Sequence, residues 1–213
     1  MKIFNKYADY YNIIYRDKPY KQEAEFVYRW LGNPCLIVDI GCGTGQHAKY
    51  WSKKTKVIGV EKSKDMLARA YKHKNIQYCD KLPKKTKYTY FTAMFNVVGY
   101  FWLDTLLKCL PIEKGGFFVF DCWDTNKIKE NPPKIQLKKF KTFQRLMIPE
   151  IPFHPFIGFH IVIMGKDILY DEYHDLQSYS FKRIEQLCEL YEYKIIAVKD
   201  TSTWTRWYKI QKV

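Results

Sequence analysis

The residues best able to do chemistry stand in one run, Val38-Asp39-Ile40-Gly41-Cys42-Gly43-Thr44-Gly45. An apolar strand that runs into a glycine-rich turn and then a helix lets backbone approach a ligand closely and offers the free N–H groups of a helix start to an anionic group. A nucleotide-type ligand is implied. The dinucleotide pattern G-x-G-x-x-G would need glycine at 46, but Gln46 stands there and Gly45 comes one place early, which disfavours a nicotinamide-dependent dehydrogenase. Asp39, just before the loop, could take up a cationic amine, so carboxylate and loop together suit a zwitterionic amino-acid moiety better than a pyrophosphate. Glu61 ends the next expected strand, 22 residues further on, where it can accept from both hydroxyls of a ribose. Asp80 ends a third and could accept from an adenine amino group. Three acids at three successive strand ends would line one edge of a parallel sheet, where such folds bind ligands.

These groups need a scaffold, and the sequence supplies its outline. Strands are expected at Cys35–Ile40, Lys56–Glu61, Ile76–Cys79 and Tyr88–Phe95, with a fifth at Phe117–Cys122 after a Gly115-Gly116 turn. Helices are expected at Gln46–Lys53, Lys64–Tyr71 and Tyr100–Leu110. This alternation implies a parallel sheet covered by helices. Residues 1–31 carry apolar side chains at helical spacing (Phe4, Tyr7, Tyr11, Ile14, Tyr15, then Phe26, Val27, Trp30), read as two helices broken near Asp17-Lys18-Pro19. Residues 127–175 hold five prolines and β-rich runs at Phe140–Ile148, Phe156–Met164 and Ile168–Tyr173, read as an antiparallel insertion of three strands without a strong helix. A helix at Phe181–Tyr191 and strands at Lys194–Val198 and Thr203–Ile210 resume the α/β pattern. We expect a single domain over 1–213, with an N-terminal helical lid (1–31), a ligand-binding core (32–126), the β insertion (127–175) and a C-terminal completion of the sheet (176–213).

Composition bounds the partners. The chain has 213 residues, 47% hydrophobic and 27% charged, which excludes a disordered or fibrous protein. No apolar run is long enough to span a membrane and the N-terminal residues lack a secretory h-region, so the expectation is a soluble, cytoplasmic protein. The six cysteines have no C-x-x-C pair and no zinc-like spacing with histidine, so neither a disulfide framework nor a metal site is expected. The net charge of +14, from 36 basic and 22 acidic residues, points to an anionic partner. The charge is spread over pairs such as Lys53-Lys54, Lys84-Lys85 and Lys138-Lys139, and most of it is lysine, whereas base reading favours arginine. A lysine-rich solvated surface and a functional basic face both fit. The 18% of aromatic residues is an excess that tyrosine-lined walls around a base or sugar would use.

With Gly59-Val60-Glu61-Lys62-Ser63 and Asp65-Met66-Leu67-Ala68-Arg69-Ala70, the glycine run resembles the cofactor site of class I S-adenosylmethionine-dependent methyltransferases over roughly residues 35–122. That resemblance implies an α/β Rossmann-like fold with a mostly parallel seven-stranded sheet flanked by helices and the β insertion after strand 5. It also implies a cofactor set of Tyr11, Asp39, Gly41, Cys42, Gly43, Gly45, Glu61, Lys62, Met66, Asp80 and Phe95. The loop would hold the methionine end, Glu61 the ribose, Met66 one face of the adenine and Asp80 its amino group. The runs Tyr7–Tyr15 with Lys18-Pro19-Tyr20, and Met94–Tyr100, are similar to segments of small-molecule methyltransferases, including those acting on the amino group of nucleotide-linked sugars. By that likeness Tyr11 folds over the cofactor, while Asn96 and Tyr100 face the substrate. Tyr7 and Tyr15 read equally as helix packing. Glutamate at 61 departs from the family's common aspartate but should keep the ribose contacts.

Methyl transfer from a sulfonium needs chiefly water exclusion and an aligned nucleophile, plus a base if a hydroxyl is to react. Of the insertion's histidines, His174 in Glu172-Tyr173-His174-Asp175 is the best candidate base, ahead of His154 and His160, so Asn96, Tyr100 and His174 form the expected catalytic set. The expected acceptor is a nucleotide-linked anionic small molecule, such as an activated sugar or a surface-polysaccharide precursor, methylated on nitrogen or oxygen. Alternatives are a tRNA or rRNA substrate, another nucleotide-linked group such as a phosphoramidate, or a non-catalytic scaffold. Asn131-Pro132-Pro133-Lys134 is similar to the N-P-P-aromatic motif of nucleic-acid methyltransferases, but it lies outside the strand-4 position and ends in lysine; it reads as an insertion turn.

Overall fold

The computed structural model describes residues 4, 6–83, 88–153, 155–201 and 204–213. His154 and the Thr203 start of the last expected strand lie outside these. Seven strands form one sheet: β1 (Leu36–Ile40), β2 (Lys56–Val60), β3 (Ile76–Cys79), β4 (Tyr88–Ala93), β5 (Ile112–Trp123), β10 (Tyr193–Asp200) and β11 (Thr205–Lys212). Their order is β10-β11-β5-β4-β1-β2-β3, and β11 alone runs against its neighbours. The sheet turns outward from β1, with β2 on one side and β4 on the other. This is the topological switch point at whose carboxyl edge a ligand crevice opens.

Alternation along each strand sends successive side chains to opposite faces. Ile37, Val57, Val119 and Trp207 pack under α2 (Tyr20–Trp30) and α3 (Ala48–Trp51), where the buried Trp51 indole donates to the Ala24 carbonyl at 2.8 Å. Val38, Phe118, Phe120 and Ile210 pack under α5 (Leu103–Cys109) and α7 (Phe181–Leu190). Each such buried side chain contributes about 1.5–3 kcal/mol. Between these lie α4 (Lys64–Ala68), whose Ser63 cap accepts the Met66 N–H, and α6 (Thr125–Glu130), capped by Asp124.

The insertion is a second, antiparallel sheet of four strands: β6 (Gln136–Lys139), β7 (Phe143–Phe153), β8 (Phe156–Gly165) and β9 (Ile168–Gln177). Its inner face, with Phe143, Met147, Ile157, Phe159, Ile161 and Leu176, closes on α1 (Ala8–Ile14) and its flanking Tyr7. Here the sequence expectation is corrected. The strand β6 was not foreseen because its four side chains are all exposed, so no apolar period marks it. Helix α6 was missed because its six residues bury only Thr125 and Ile128. Gly115-Gly116 is not a turn before the fifth strand but lies inside a longer β5, where the pairing with β4 shifts register. The helix expected from Tyr100 begins at Leu103, after a 3-10 turn over Val97–Gly99.

Candidate active site

The glycine run leaves β1 at the sheet's carboxyl edge. Gly41 and Gly45 both take positive φ, 63° and 71°, where an L side chain is strained. A Cβ on Gly41 would lie 2.5 Å from Val97 Cγ1, and one on Gly45 would meet the Tyr78 hydroxyl. The loop is thus pressed between its neighbours, with Gly43, Thr44 and Gly45 buried and Gly41 and Cys42 half-buried.

Asp39 is 2% exposed and its Oδ1 accepts the Thr92 hydroxyl from β4 at 2.9 Å. Burial pushes its carboxyl up to about 7 against the Thr92 bond, and the nearby Glu61 adds to the rise. No cation pairs with Asp39 among the described residues, so this buried acid lacks a positive partner. Glu61 bridges the loop: Oε2 accepts the Gly43 N–H at 3.0 Å and Oε1 the Ser63 N–H at 2.7 Å. Each oxygen keeps a lone pair for a further donor. Buried Met66 reaches Gly43, its Cε 3.5 Å from where a Cβ would stand. Asp80 follows β3 directly and is exposed at the sheet edge, as is Lys62 beside Glu61.

Helix α1 closes the loop from above. Asn12 Oδ1 accepts both the Thr44 hydroxyl at 2.6 Å and the Gln46 amide at 3.1 Å. Beneath α2, Glu23 binds His47 Nε2 at 2.8 Å and Lys18 Nζ. Lys18 also lies over the rings of Tyr20 and Phe95, 4.8 and 4.7 Å from their centroids. The resulting pocket is lined by Tyr11, Tyr20, Asp39, Gly41, Cys42 and Phe95, among others.

Two of the three expected catalytic residues meet. The Tyr100 hydroxyl is 2.8 Å from His174 Nδ1, and His174 Nε2 is 2.7 Å from Glu172 Oε1. Nε2 is in close polar contact with Glu172 but without hydrogen-bond geometry, and in the tautomer protonated at Nε2 the Tyr100 O–H donates to Nδ1. Glu172 also binds the Phe4 N–H at 2.8 Å and the Tyr170 hydroxyl. Burial works against its charge, but the adjacent His174 ring and the bonds from Tyr170 and Phe4 hold its pKa below the ordinary value. His174 is 1% exposed and Glu172 6%. Burial drives the Tyr100 hydroxyl well above its ordinary pKa, so it stays protonated. The Phe4 ring packs edge-on against Tyr100, His174 and Tyr11.

Asn96 is not brought into this group. Phe95 and Asn96 both have positive φ, 74° and 55°, at the exit of β4. Asn96 Oδ1 accepts the Trp123 N–H and its own N–H reaches Asp121, both at 3.1 Å, while Nδ2 is buried without a partner. Its Oδ1 and N–H tie the β4 exit to β5, and asparagine suits the left-handed backbone. His160 lies on the outer side of the insertion, near Glu150 and Tyr173. Residues without an assigned role in the sequence reading are Glu172, Asn12, Thr92, Asp121 and Arg145. The alternation Tyr170, Glu172, His174 on one strand face was the available signal for the first.

Among the described residues no His, Cys, Asp or Glu cluster could hold a metal, and no helix is long and apolar enough to cross a membrane. Residues 37–110 match the family model described as a methyltransferase domain. That segment runs from β1 to the end of α5, and the strand order around it is the Rossmann-like fold of class I methyltransferases.

No curated protein matches the chain. Among solved structures it is similar to an S-adenosylmethionine-dependent methyltransferase from Clostridium acetobutylicum ATCC 824, with TM-score 0.80, 18% identity and 99% of each chain covered. It is also similar to an amino pentose methyltransferase of calicheamicin biosynthesis from Micromonospora echinaspora (TM-score 0.76, 15% identity, 100% and 99% covered). A third is a sugar N-methyltransferase from Streptoalloteichus sp ATCC 53650 (TM-score 0.74, 15% identity, 95% and 93% covered).

Proposed function

We propose that this chain transfers a methyl group to a nitrogen or oxygen of a small molecule, a nucleotide-activated sugar or related surface-polysaccharide precursor. The observation that carries the reading is the buried Tyr100–His174–Glu172 cluster, with His174 and Glu172 on β9 and Tyr100 on the connection from β4 to α5. The amino pentose named for one structural neighbour and the sugar named for another support the acceptor class.

The loop residues fit the methyl donor. Asp39, buried and lacking a cation, would take its α-ammonium; Glu61 would take the ribose hydroxyls, Met66 would cover the adenine and Asp80 would receive its amino group. Backbone at Gly41, Cys42, Gly43 and Gly45, with Tyr11 and Phe95 above, would hold the methionine end. When bound, S-adenosylmethionine supplies an electrophilic methyl on a sulfonium whose leaving group departs as a neutral thioether.

The protein's own work is to exclude water and to move a proton. Phe4, Tyr7, Tyr11 and Tyr100 roof the site, and aromatic faces favour a cation beneath them. The acceptor's proton passes to Tyr100 Oη as the Tyr100 proton passes to His174 Nδ1. Glu172 then neutralises the imidazolium. Aligned general-base catalysis of this kind contributes roughly 10²–10⁴-fold.

The test is transfer of labelled methyl from S-adenosylmethionine into a cell lysate fractionated into small molecules and RNA. Label in anionic small molecules, lost with Glu172→Gln, is the expected result. Label confined to RNA would replace this reading with a nucleic-acid methyltransferase.

A further inference from the structure

Arg145 lies in β7 with Phe143 and Met147 on the inner face of the insertion sheet, and it is 8% exposed. No carboxylate among the described residues pairs with it. Its Nε is buried without a hydrogen-bond partner, and Nη2 meets only the Met147 thioether, at 2.9 Å. Sulfur is a weak acceptor, so the buried Nε is unpaired and Nη2 is poorly paired. A buried charge without a partner is expensive.

Its surroundings indicate the kind of partner. Arg145 pairs with Ile163 of β8, which pairs with Tyr170 of β9, on the face that carries Glu172 and His174. At about 3.3 Å per residue, its row lies about 7 Å from the Glu172 row and about 13 Å from the His174 row. The charge of Arg145 acts on the Tyr7 hydroxyl, which donates to the Tyr15 hydroxyl at 3.2 Å. Tyr15 packs on Tyr11 and Phe95, whose rings line the pocket beside the glycine loop. The guanidinium thus shares the inner face of the insertion sheet with Glu172 and His174, and its charge is felt at the Tyr7 hydroxyl.

We infer that Arg145 is the anchor for the acceptor's anionic group, a phosphate or carboxylate held by the guanidinium fork beside the Tyr7 and Tyr15 hydroxyls. The inference rests on the small-molecule methyltransferase reading and narrows it: the acceptor is an extended anion whose charge sits about two to four residue rises, ~7–13 Å, along the strands from the Glu172 and His174 rows. Arginine is the residue for such planar, bidentate recognition. Neutral acceptors and short ones leave the guanidinium unpaired.

The test is thermal unfolding and calorimetric titration of the full chain, wild type against Arg145→Met and Arg145→Lys, with an exposed-surface control, Lys166→Met. The probes are pyrophosphate, uridine diphosphate and citrate. Without anions, Arg145→Met should melt at or above the wild-type temperature, because an unpaired charge is removed. At least one probe should bind wild type and Lys166→Met alike, at least tenfold more weakly Arg145→Met, and between the two Arg145→Lys. Preference for uridine diphosphate or pyrophosphate over citrate identifies a phosphate, the reverse a carboxylate. A large loss of stability in Arg145→Met, or binding of all three probes that ignores position 145, overturns the inference. S-adenosylhomocysteine is titrated into the same proteins and should bind wild type and Arg145→Met equally. Failure of that ligand to bind wild type would strike at the methyltransferase reading, whatever the anions do.

Discussion

Two buried aspartates set the pH response. Burial raises both Asp39 and Asp121 to about 7, Asp121 against the N–H bonds of the β4 exit. Unfolded, each would titrate near 4. The folded chain therefore holds more protons than the unfolded one between about pH 4 and 7, so the stability these groups give is full below that window and lost as pH rises through 7. Melting temperatures of wild type relative to Asp39→Asn should fall from pH 5 to pH 8; a flat difference would remove the raised pKa. At the relay, Glu172→Gln should lower kcat by roughly 10²–10⁴ with KM for the donor little changed. An equal loss in S-adenosylhomocysteine affinity would show that Glu172 holds the fold of the site instead of its proton.

At the scale of elements, the loop's conformation is enforced by what lies against it. Gly45→Ala adds a strained φ of about 1–3 kcal/mol and a collision with the Tyr78 hydroxyl, which itself donates to the Tyr71 carbonyl at 2.7 Å. Unfolding temperature should drop by roughly 2–4 °C for each kcal/mol in a chain of this size. Adding Tyr78→Phe should recover part of the loss, and strict additivity of the two substitutions would contradict the contact. Removing Asn12 Oδ1 as Asn12→Ala frees Thr44 and Gln46 from α1 and should speed dissociation of a bound nucleoside while leaving the sheet's stability nearly unchanged, as stopped-flow measurement would show.

Across the whole molecule, the sheet was readable because β1, β2 and β5 are buried on both faces and their apolar runs are bounded by glycine and charge. Ile37 and Val38 belong to opposite cores, which is what the run Leu36–Ile40 requires. The acids at the strand ends were readable from spacing, since the parallel register carries Asp39, Glu61 and Asp80 to one edge. What escaped the sequence depends on long-range contact. The exposed edge strand β6 has no period to detect. The turning of Asn96 toward Trp123 follows from the approach of β4 and β5, and the meeting of Tyr100 with His174 joins residues 74 apart. Arg145 could not be distinguished from the other basic residues until burial separated it from them.

The central claim is that the glycine loop, Asp39 and Glu61 form an S-adenosylmethionine site, and calorimetric titration of S-adenosylhomocysteine at pH 6 and pH 8 tests it most directly. The expected result is saturable one-to-one binding, weaker at pH 6 because Asp39 must shed a proton. Asp39→Asn should weaken it by roughly 100-fold or more, since breaking a buried ion pair costs about 3–5 kcal/mol, and no binding of NAD should appear. Binding that is absent, or equal in wild type and Asp39→Asn at both pH values, would contradict the site.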